Sequence, residues 1–199
     1  MPRMTRVQSQ ARTRARLIAT AKALFLRDGY AVTSLEKVAD KAGYSKGAVY
    51  SNFRNKDELC LAVLDEIHGE QVAMVTEALA GARTIEERLA AFQSWAEANI
   101  GNEAWTSLEV EFAVGARRNP VVRKALATRS RAIRNTIAGL ITVQADELGI
   151  APPVPADAVA TALLSLGIGL GVQRAIDPSI PVSVLTDAIR LVAGAEQRV

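Results

Sequence analysis

The segment 45-SKGAVYSNFRNKDEL-59 places hydroxyl, ammonium, guanidinium and amide side chains next to two aromatic rings. Groups of these types bind phosphate oxygens and the edges of nucleic-acid bases. On a helix that starts at Ser45, a rotation of about 100° per residue puts Val49 and Phe53 on one side and Gly47 on the other. The segment therefore predicts a short helix whose apolar side packs on its own domain and whose polar side is free to bind.

The polar side has the properties of a helix that enters a major groove. Gly47 has no side chain, so the helix can approach a nucleic acid closely, although glycine costs a helix up to ~1 kcal/mol relative to alanine. Hydroxyl and ammonium groups suit phosphates, whereas amides and hydroxyls suit base edges. The predicted DNA-contacting residues are Thr33, Ser34, Ser45, Lys46, Gly47, Ala48, Tyr50, Ser51, Asn52 and Lys56, with Lys46, Ser51 and Asn52 as base readers.

Some of these assignments have a plainer alternative. A solvated surface position is the alternative for Lys46, Tyr50 and Lys56. Capping of the following helix is the alternative for Thr33, because a threonine hydroxyl often accepts a hydrogen bond from the first turn of a helix.

The residues before the polar helix predict a partner helix and a turn. Residues 35–41 have the 3.6-residue apolar spacing of a helix, which Thr33 or Ser34 can cap. A small residue, Ala39, lies where two helices would touch, and Gly43 suits a tight turn. This arrangement predicts a helix-turn-helix, which places its second helix in a major groove.

Positive charge is concentrated at the start of the chain. Residues 1–56 contain twelve Lys and Arg but three Asp and Glu, a formal charge of +9, whereas the whole chain carries +3 and the other 143 residues therefore sum to −6. A basic segment on an acidic body is typical of a polyanion-binding module joined to a second domain. For Arg12, Arg14 and Arg16, solvated charge and nonspecific attraction to phosphate remain alternatives.

The segment 33-TSLEKVADKAGYSKGAVYSNFRNKDEL-59 resembles the helix-turn-helix of the tetracycline-repressor (TetR) family of bacterial regulators. Tyr50, Phe53 and Lys56, followed by Asp57-Glu58-Leu59, have the spacing of that family. The resemblance implies a homodimer that binds a pseudo-palindromic operator through two copies of the Ser45–Phe53 helix. It also implies that a small molecule bound in the C-terminal domain changes the spacing of the two copies. Asn52 stands where many members have His or Tyr, so the operator sequence is not implied.

Helical periodicity recurs along almost the whole chain, and alternating strand patterns are absent. The fold class is therefore predicted as all-α, with about nine helices. An N-terminal helix-turn-helix DNA-binding domain, residues 1–56, precedes a larger helical effector-binding and dimerisation domain, residues 57–199. The expected helices span about 12–27, 35–41, 45–53, 56–81, 84–100, 103–118, 120–148, 156–176 and 181–192.

The resemblance implies that the second domain binds a small molecule, and the large apolar groups that recur on the inner faces of its helices would make that effector hydrophobic. A plain structural core is the alternative, and for Glu109 a salt bridge, for instance with Arg134, is the alternative to pairing with a cationic ligand. In TetR relatives the last two helices form the dimer, which points to residues 156–192. The predicted ligand pocket comprises Phe92, Trp95, Trp105, Leu108, Glu109, Phe112, Ile137 and Leu166.

The sequence indicates no catalytic set, metal site or cofactor. His68 is the only histidine, which leaves too few members for a His-based metal cluster or a Ser-His-Asp triad, and Cys60 is the only cysteine. The run 167-GIGLG-171 lacks the spacing and preceding strand of a nucleotide loop. No secretory signal is recognisable, and the low-charge run 158–173 is shorter than the roughly 18 residues of a membrane span, so a cytoplasmic protein is expected.

These observations predict a ligand-released, DNA-binding repressor that is not an enzyme. Two alternatives remain open at this stage. One is a helix-turn-helix regulator without an effector, acting as an activator or through a protein partner, and the other is an α-helical enzyme.

Overall fold

The computed structural model describes residues 5–193, and within that range it contains nine α-helices and no strand. The predicted all-α fold is confirmed. Residues 1–4, including Arg3 of the basic segment, and residues 194–199 of the predicted second domain lie outside the described part. The helices are α1 (Arg6–Asp28), α2 (Leu35–Ala42), α3 (Lys46–Tyr50), α4 (Lys56–Leu79), α5 (Ile85–Asn99), α6 (Glu103–Ala116), α7 (Pro120–Leu148), α8 (Ala156–Ile176) and α9 (Ser183–Val192).

Helix α1 begins six residues before the predicted start at residue 12. Thr5 caps it: its hydroxyl oxygen accepts a hydrogen bond from the Gln8 backbone N–H, and the Gln8 side-chain oxygen accepts one from the Thr5 backbone N–H. This capping box fixes the first turn. The apolar pattern could not indicate it, because the first buried residue of α1 is Leu17. The helix ends as predicted at Gly29, whose φ of 92° favours glycine.

The described residues form two compact units. One contains residues 5–67 and 107–126, and the other contains residues 68–106 and 127–193. Helices α4, α6 and α7 each have one part in each unit. The first unit therefore extends beyond the predicted domain of residues 1–56, because it includes the first half of α4 and most of α6.

The core of the first unit joins the helix-turn-helix to α1 and α4. Its side chains are almost fully inaccessible to solvent, as expected when helices bury one apolar stripe each. They include Leu17, Ala21, Leu24, Phe25, Val38, Ala39, Val49, Phe53, Leu59, Cys60 and Val63. Burial raises the pKa of the Cys60 thiol, which disfavours the reactive thiolate.

The second unit has its own apolar cluster and two arginines that bind backbone carbonyls. Ala96, Leu170, Val182 and Leu185 form the cluster, with Phe92 and Trp95 packed against it. Arg88 donates to the carbonyls of Ala82 (3.2 Å) and Gln144 (3.1 Å) and pairs with Glu147 at 2.8 Å. Arg174 donates to the carbonyl of Ile100 at 2.9 Å. These bonds fix the connections between helices α4 and α5 and between α5 and α6.

Helix α8 is unusually apolar for the amount of it that is buried. Its 21 residues are long and apolar enough to cross a membrane by length and composition, although the charge-free run of residues 158–173 looked too short. Only 22% of the most apolar stretch is buried inside the chain. Most of this apolar stretch is therefore at least partly exposed in the described part of the chain.

Candidate nucleic-acid interface

Local capping bonds set the positions of α2 and α3. Ser34, rather than Thr33, caps α2 by accepting a hydrogen bond from the backbone of Lys37 at 3.1 Å. Gly43 ends α2 in the left-handed conformation with φ of 76°, and Ser45 then caps α3 by accepting from Ala48 at 3.2 Å. The predicted helix-turn-helix is therefore present, with the turn at the predicted residues.

Helix α3 is shorter than the predicted Ser45–Phe53 helix, since it ends at Tyr50. The side chains of Ser51 and Asn52 both donate to the carbonyl of Ala48, at 2.9 and 2.8 Å. Serine and asparagine side chains compete in this way with the backbone bonds of a helix. The chain tightens there, because the Asn52 N–H bonds only three residues back, to Val49. Ser51 and Asn52 thus lie in the turn that follows the helix.

Val49 and Phe53 anchor this region, and both are 0% exposed, as predicted. Arg14 of α1 adds a second attachment. Its guanidinium lies 4.2 Å from the centre of the Phe53 ring and donates to the Asn52 carbonyl at 2.9 Å. Arg14 therefore holds the end of the α3 region, a role that the sequence did not indicate.

The outer side of α3 is open. Tyr50 is 52% exposed. A Cβ added at Gly47 would meet only the Ser45 hydroxyl oxygen, at 3.8 Å, so the protein itself does not require glycine there. Lys46 makes a loose pair with Glu36 at 3.9 Å. The pKa of Glu36 is lowered by its own backbone N–H and the Ser34 hydroxyl, and to a lesser degree by Lys46.

Thr33 and Lys56 make internal contacts. Thr33 is 0% exposed and donates to the Gly29 carbonyl at 2.9 Å. The Lys56 ammonium donates to the carbonyls of Tyr30 (2.9 Å) and Ala31 (3.1 Å) and lies 4.2 Å from the centre of the Tyr30 ring. Phosphate contacts by these two residues stay predictions, and the structure gives both of them a second role in holding the connection between α1 and α2.

Substitution of Lys56 separates the two roles. We expect Lys56→Met to weaken DNA binding by loosening the connection, while the dependence of log K on log salt keeps its slope. A lost phosphate contact would instead reduce that slope by about 0.9. Lys46→Met, at an exposed position, is the matched control and should reduce the slope. Equal slope reductions in the two variants, measured by fluorescence anisotropy at several salt concentrations, would contradict the internal role.

The residues predicted to bind a ligand fall in both units. Phe92 and Trp95 stack with ring centres 5.4 Å apart, and Trp105 meets His68 edge-on at 6.4 Å, all in the second unit. Ile137 and Leu166 lie in the second unit as well, and Leu166 is 40% exposed. Leu108, Glu109 and Phe112 belong to the first unit, where Phe112 packs on Tyr30 with ring centres 5.1 Å apart.

Buried polar atoms without a hydrogen-bond partner point to further residues of the second unit. They are the indole N–H groups of Trp95 and Trp105 and the amide oxygens of Gln71 and Gln144. Such atoms are costly unless another molecule satisfies them. The sequence did not single out either glutamine, because a lone glutamine on a helix is usually solvated.

Two cavities lie outside these residues. One, of about 380 Å³, is lined by Val114, Gly115, Arg117 and Arg118. The other, of about 590 Å³, lies over α2 and is lined by Ser34, Glu36, Lys37, Asp40 and Lys41. Within residues 5–193, no group of three His, Cys, Asp or Glu side chains is placed to hold a metal ion.

Two family models match the chain. Residues 17–63 match "Bacterial regulatory proteins, tetR family", and residues 85–193 match "BetI-type transcriptional repressor, C-terminal". The HTH-type transcriptional regulator TtgR of Pseudomonas putida is 43% identical over 68 residues, which are 34% of this chain and 32% of TtgR. The chain therefore aligns with about a third of that relative. UidR of Escherichia coli is 23% identical over 84% of both proteins.

Solved structures share the fold over nearly the whole chain. A transcriptional regulator from Rhodococcus sp. Rha1 has 26% identity and a TM-score of 0.67, with 92% of this chain and 94% of that chain covered. A regulator from Saccharomonospora viridis, solved in complex with choline, has 22% identity and a TM-score of 0.65, with 90% and 94% covered. At that identity the second likeness shows the fold alone.

Proposed function

Because the chain belongs to the TetR family of bacterial DNA-binding transcriptional regulators, we propose that it is a homodimeric repressor that a small molecule releases from its operator. Members of this family bind operator DNA and act as dimers. The curated relatives named above are transcriptional regulators, which supports a regulatory rather than an enzymatic role. We also propose that the protein acts in the cytoplasm, where its DNA target is.

The exposed apolar surface of α8 and α9 supports a dimer through residues 156–192. Solvent reaches several large apolar side chains there, and soluble monomers rarely leave such a patch uncovered. Gly167 has no other atom near its missing Cβ, so a second chain can approach α8 closely at that point. The exposed residues are Leu166 (40%), Ile168 (54%), Ile176 (83%), Val184 (46%) and Leu191 (83%).

The observation that carries the effector proposal is the set of unpartnered polar atoms in the second unit. Two indole N–H groups need an acceptor, and the amide oxygens of Gln71 and Gln144 need a donor. Hydroxyl groups on an apolar molecule would donate to the amide oxygens and accept from the indole N–H groups, whereas a carbonyl group could only accept, from the indoles. The proposed effector is therefore small and mainly hydrophobic, with a few hydrogen-bonding groups.

Thermal-shift screening of the full-length dimer tests this proposal. The first compounds to test are uncharged hydroxylated compounds, with choline as the cationic probe because the Saccharomonospora regulator was solved in complex with it. We expect at least one compound to raise the melting temperature, since it binds the folded state, and to lower affinity for DNA. Gln71→Leu should abolish the response, whereas Gln10→Leu, at an exposed position of α1 in the first unit, should keep it.

Two results would contradict the effector proposal. One is a screen in which no compound both raises the melting temperature and weakens DNA binding, which would favour a regulator without an effector. The other is a compound whose effect survives Gln71→Leu unchanged, which would place its site elsewhere.

A further inference from the structure

The connection between α1 and α2 is held from two sides by charged side chains. On one side, Glu111 of α6 accepts hydrogen bonds from two consecutive backbone N–H groups, those of Tyr30 at 3.0 Å and Ala31 at 2.9 Å. On the other side, the Lys56 ammonium donates to the carbonyls of the same two residues. The two charges are opposite, so the connection is bound by both without a net excess of charge.

Tyr30 adds side-chain attachments to the same connection. Its ring packs on Phe25 with centres 5.6 Å apart and on Phe112 at 5.1 Å. Its hydroxyl donates to Asp57 at the start of α4, and burial together with this bond raises the pKa of the Tyr30 phenol. Asp57 in turn accepts from the Asn119 side chain at 3.4 Å, between α6 and α7. The chain that leaves α1 is thus tied to α4 and α6.

The Glu111 bonds fix the backbone just before the helix-turn-helix. Backbone N–H groups that lie outside a helix need an acceptor, and a carboxylate bonds them more strongly than a neutral group does. A bidentate carboxylate also fixes the direction of the chain at Tyr30 and Ala31. Helix α2 starts four residues later, at Leu35, and packs against α3. A change in the direction of the backbone at Tyr30 and Ala31 would therefore shift α2 and, with it, the position of α3.

We propose that Glu111 is a positioning residue for operator recognition: its carboxylate holds the start of the helix-turn-helix in the orientation that places α3 on DNA. The inference rests on DNA recognition through α3, and it is independent of any effector. Glu111 itself touches no DNA in this account. It acts through the backbone of Tyr30 and Ala31.

The test compares Glu111→Gln with Glu103→Gln, which makes the same charge change at an exposed position of the same helix. The probes are the duplex that the wild-type protein selects from a random-sequence library and a random duplex of equal length. For Glu111→Gln we expect the Kd for the selected duplex to rise about tenfold, the effect of losing one charge-assisted hydrogen bond. The Kd for the random duplex should change no more than in the control.

Amide hydrogen exchange supplies a readout that does not depend on DNA. The N–H groups of Tyr30 and Ala31 should be protected in the wild-type protein and should exchange faster in Glu111→Gln, with α3 amides less affected. If Glu111→Gln melts too low to assay, Glu111→Asp replaces it, because the shorter side chain keeps the charge but cannot reach both N–H groups.

Several outcomes would overturn the proposal. One is a folded Glu111→Gln variant that binds the selected duplex within twofold of the control. Another is an equal loss of affinity for both duplexes, which would indicate general destabilisation. If the wild-type protein selects no sequence, the proposed DNA recognition fails, and the positioning role of Glu111 fails with it. A missing effector response, in contrast, would not bear on the role of Glu111.

Discussion

Phe53→Ala is expected to lower the free energy of unfolding by about 3–5 kcal/mol, the usual cost of emptying a fully buried phenylalanine site. Phe53 is 0% exposed, and the Arg14 guanidinium lies over its ring at 4.2 Å. The substitution therefore leaves a cavity and also removes the cation–π contact. The same Arg14 guanidinium also donates to the carbonyl of the neighbouring Asn52, so without the Phe53 ring this bond should weaken and the turn after α3 should become more mobile.

Urea unfolding followed by circular dichroism measures this effect. Phe53→Leu is the control, since it keeps most of the buried apolar volume and should cost clearly less than the alanine variant. Phe53→Ala should also bind DNA weakly under conditions in which it is still folded. A loss of stability below about 1 kcal/mol would mean that Phe53 is not the anchor that its burial indicates.

Gly47→Leu is expected to reduce affinity for the selected duplex about 100-fold or more while the protein remains folded. The free protein accommodates a side chain at Gly47, whose added Cβ would meet only the Ser45 hydroxyl. Leucine also favours a helix over glycine by several tenths of a kcal/mol. On DNA, the leucine side chain would keep α3 away from the groove. The loss of two base contacts, at about 1–3 kcal/mol each, corresponds to a loss of affinity of about 100-fold or more.

The control for Gly47→Leu is Gly69→Leu in α4. Gly69 also lies within a helix and has no atom near its missing Cβ, but it belongs to the second unit. Both variants should unfold at a urea concentration no lower than the wild type, and only the Gly47 variant should lose DNA affinity. A Gly47→Leu variant that binds the selected duplex as the wild type does would remove α3 from the interface.

Local patterns in the sequence were sufficient for most of the fold. The apolar spacing and the caps predicted the helices, and the helix expected from about residue 84 does begin there, with a capping box formed by Thr84 and Glu87. The two errors in the first unit are local as well. Thr5 and Gln8 extend α1 before its apolar stripe begins, and Ser51 and Asn52 end α3 early by bonding to a helix carbonyl.

The contacts that position the helix-turn-helix could not be predicted, because they join residues far apart in the chain. Glu111 bonds a backbone about 80 residues earlier, and no local spacing relates the two. The family motif singles out Lys56 by its spacing, but that spacing does not reveal that its ammonium bonds the backbone between α1 and α2. Gln71 and Gln144 are similar cases, since only the folded chain shows that their amide oxygens are buried.

The central claim is that two copies of α3 read a symmetric DNA site. Selection of duplexes from a random-sequence library by the purified full-length protein tests it most directly, with the enriched site then titrated from low to moderate salt. We predict an enriched inverted repeat with half-sites about one helical turn apart, bound by a dimer with an affinity that falls steeply with salt. A protein that enriches no sequence and binds a random duplex equally well at moderate salt would contradict the account.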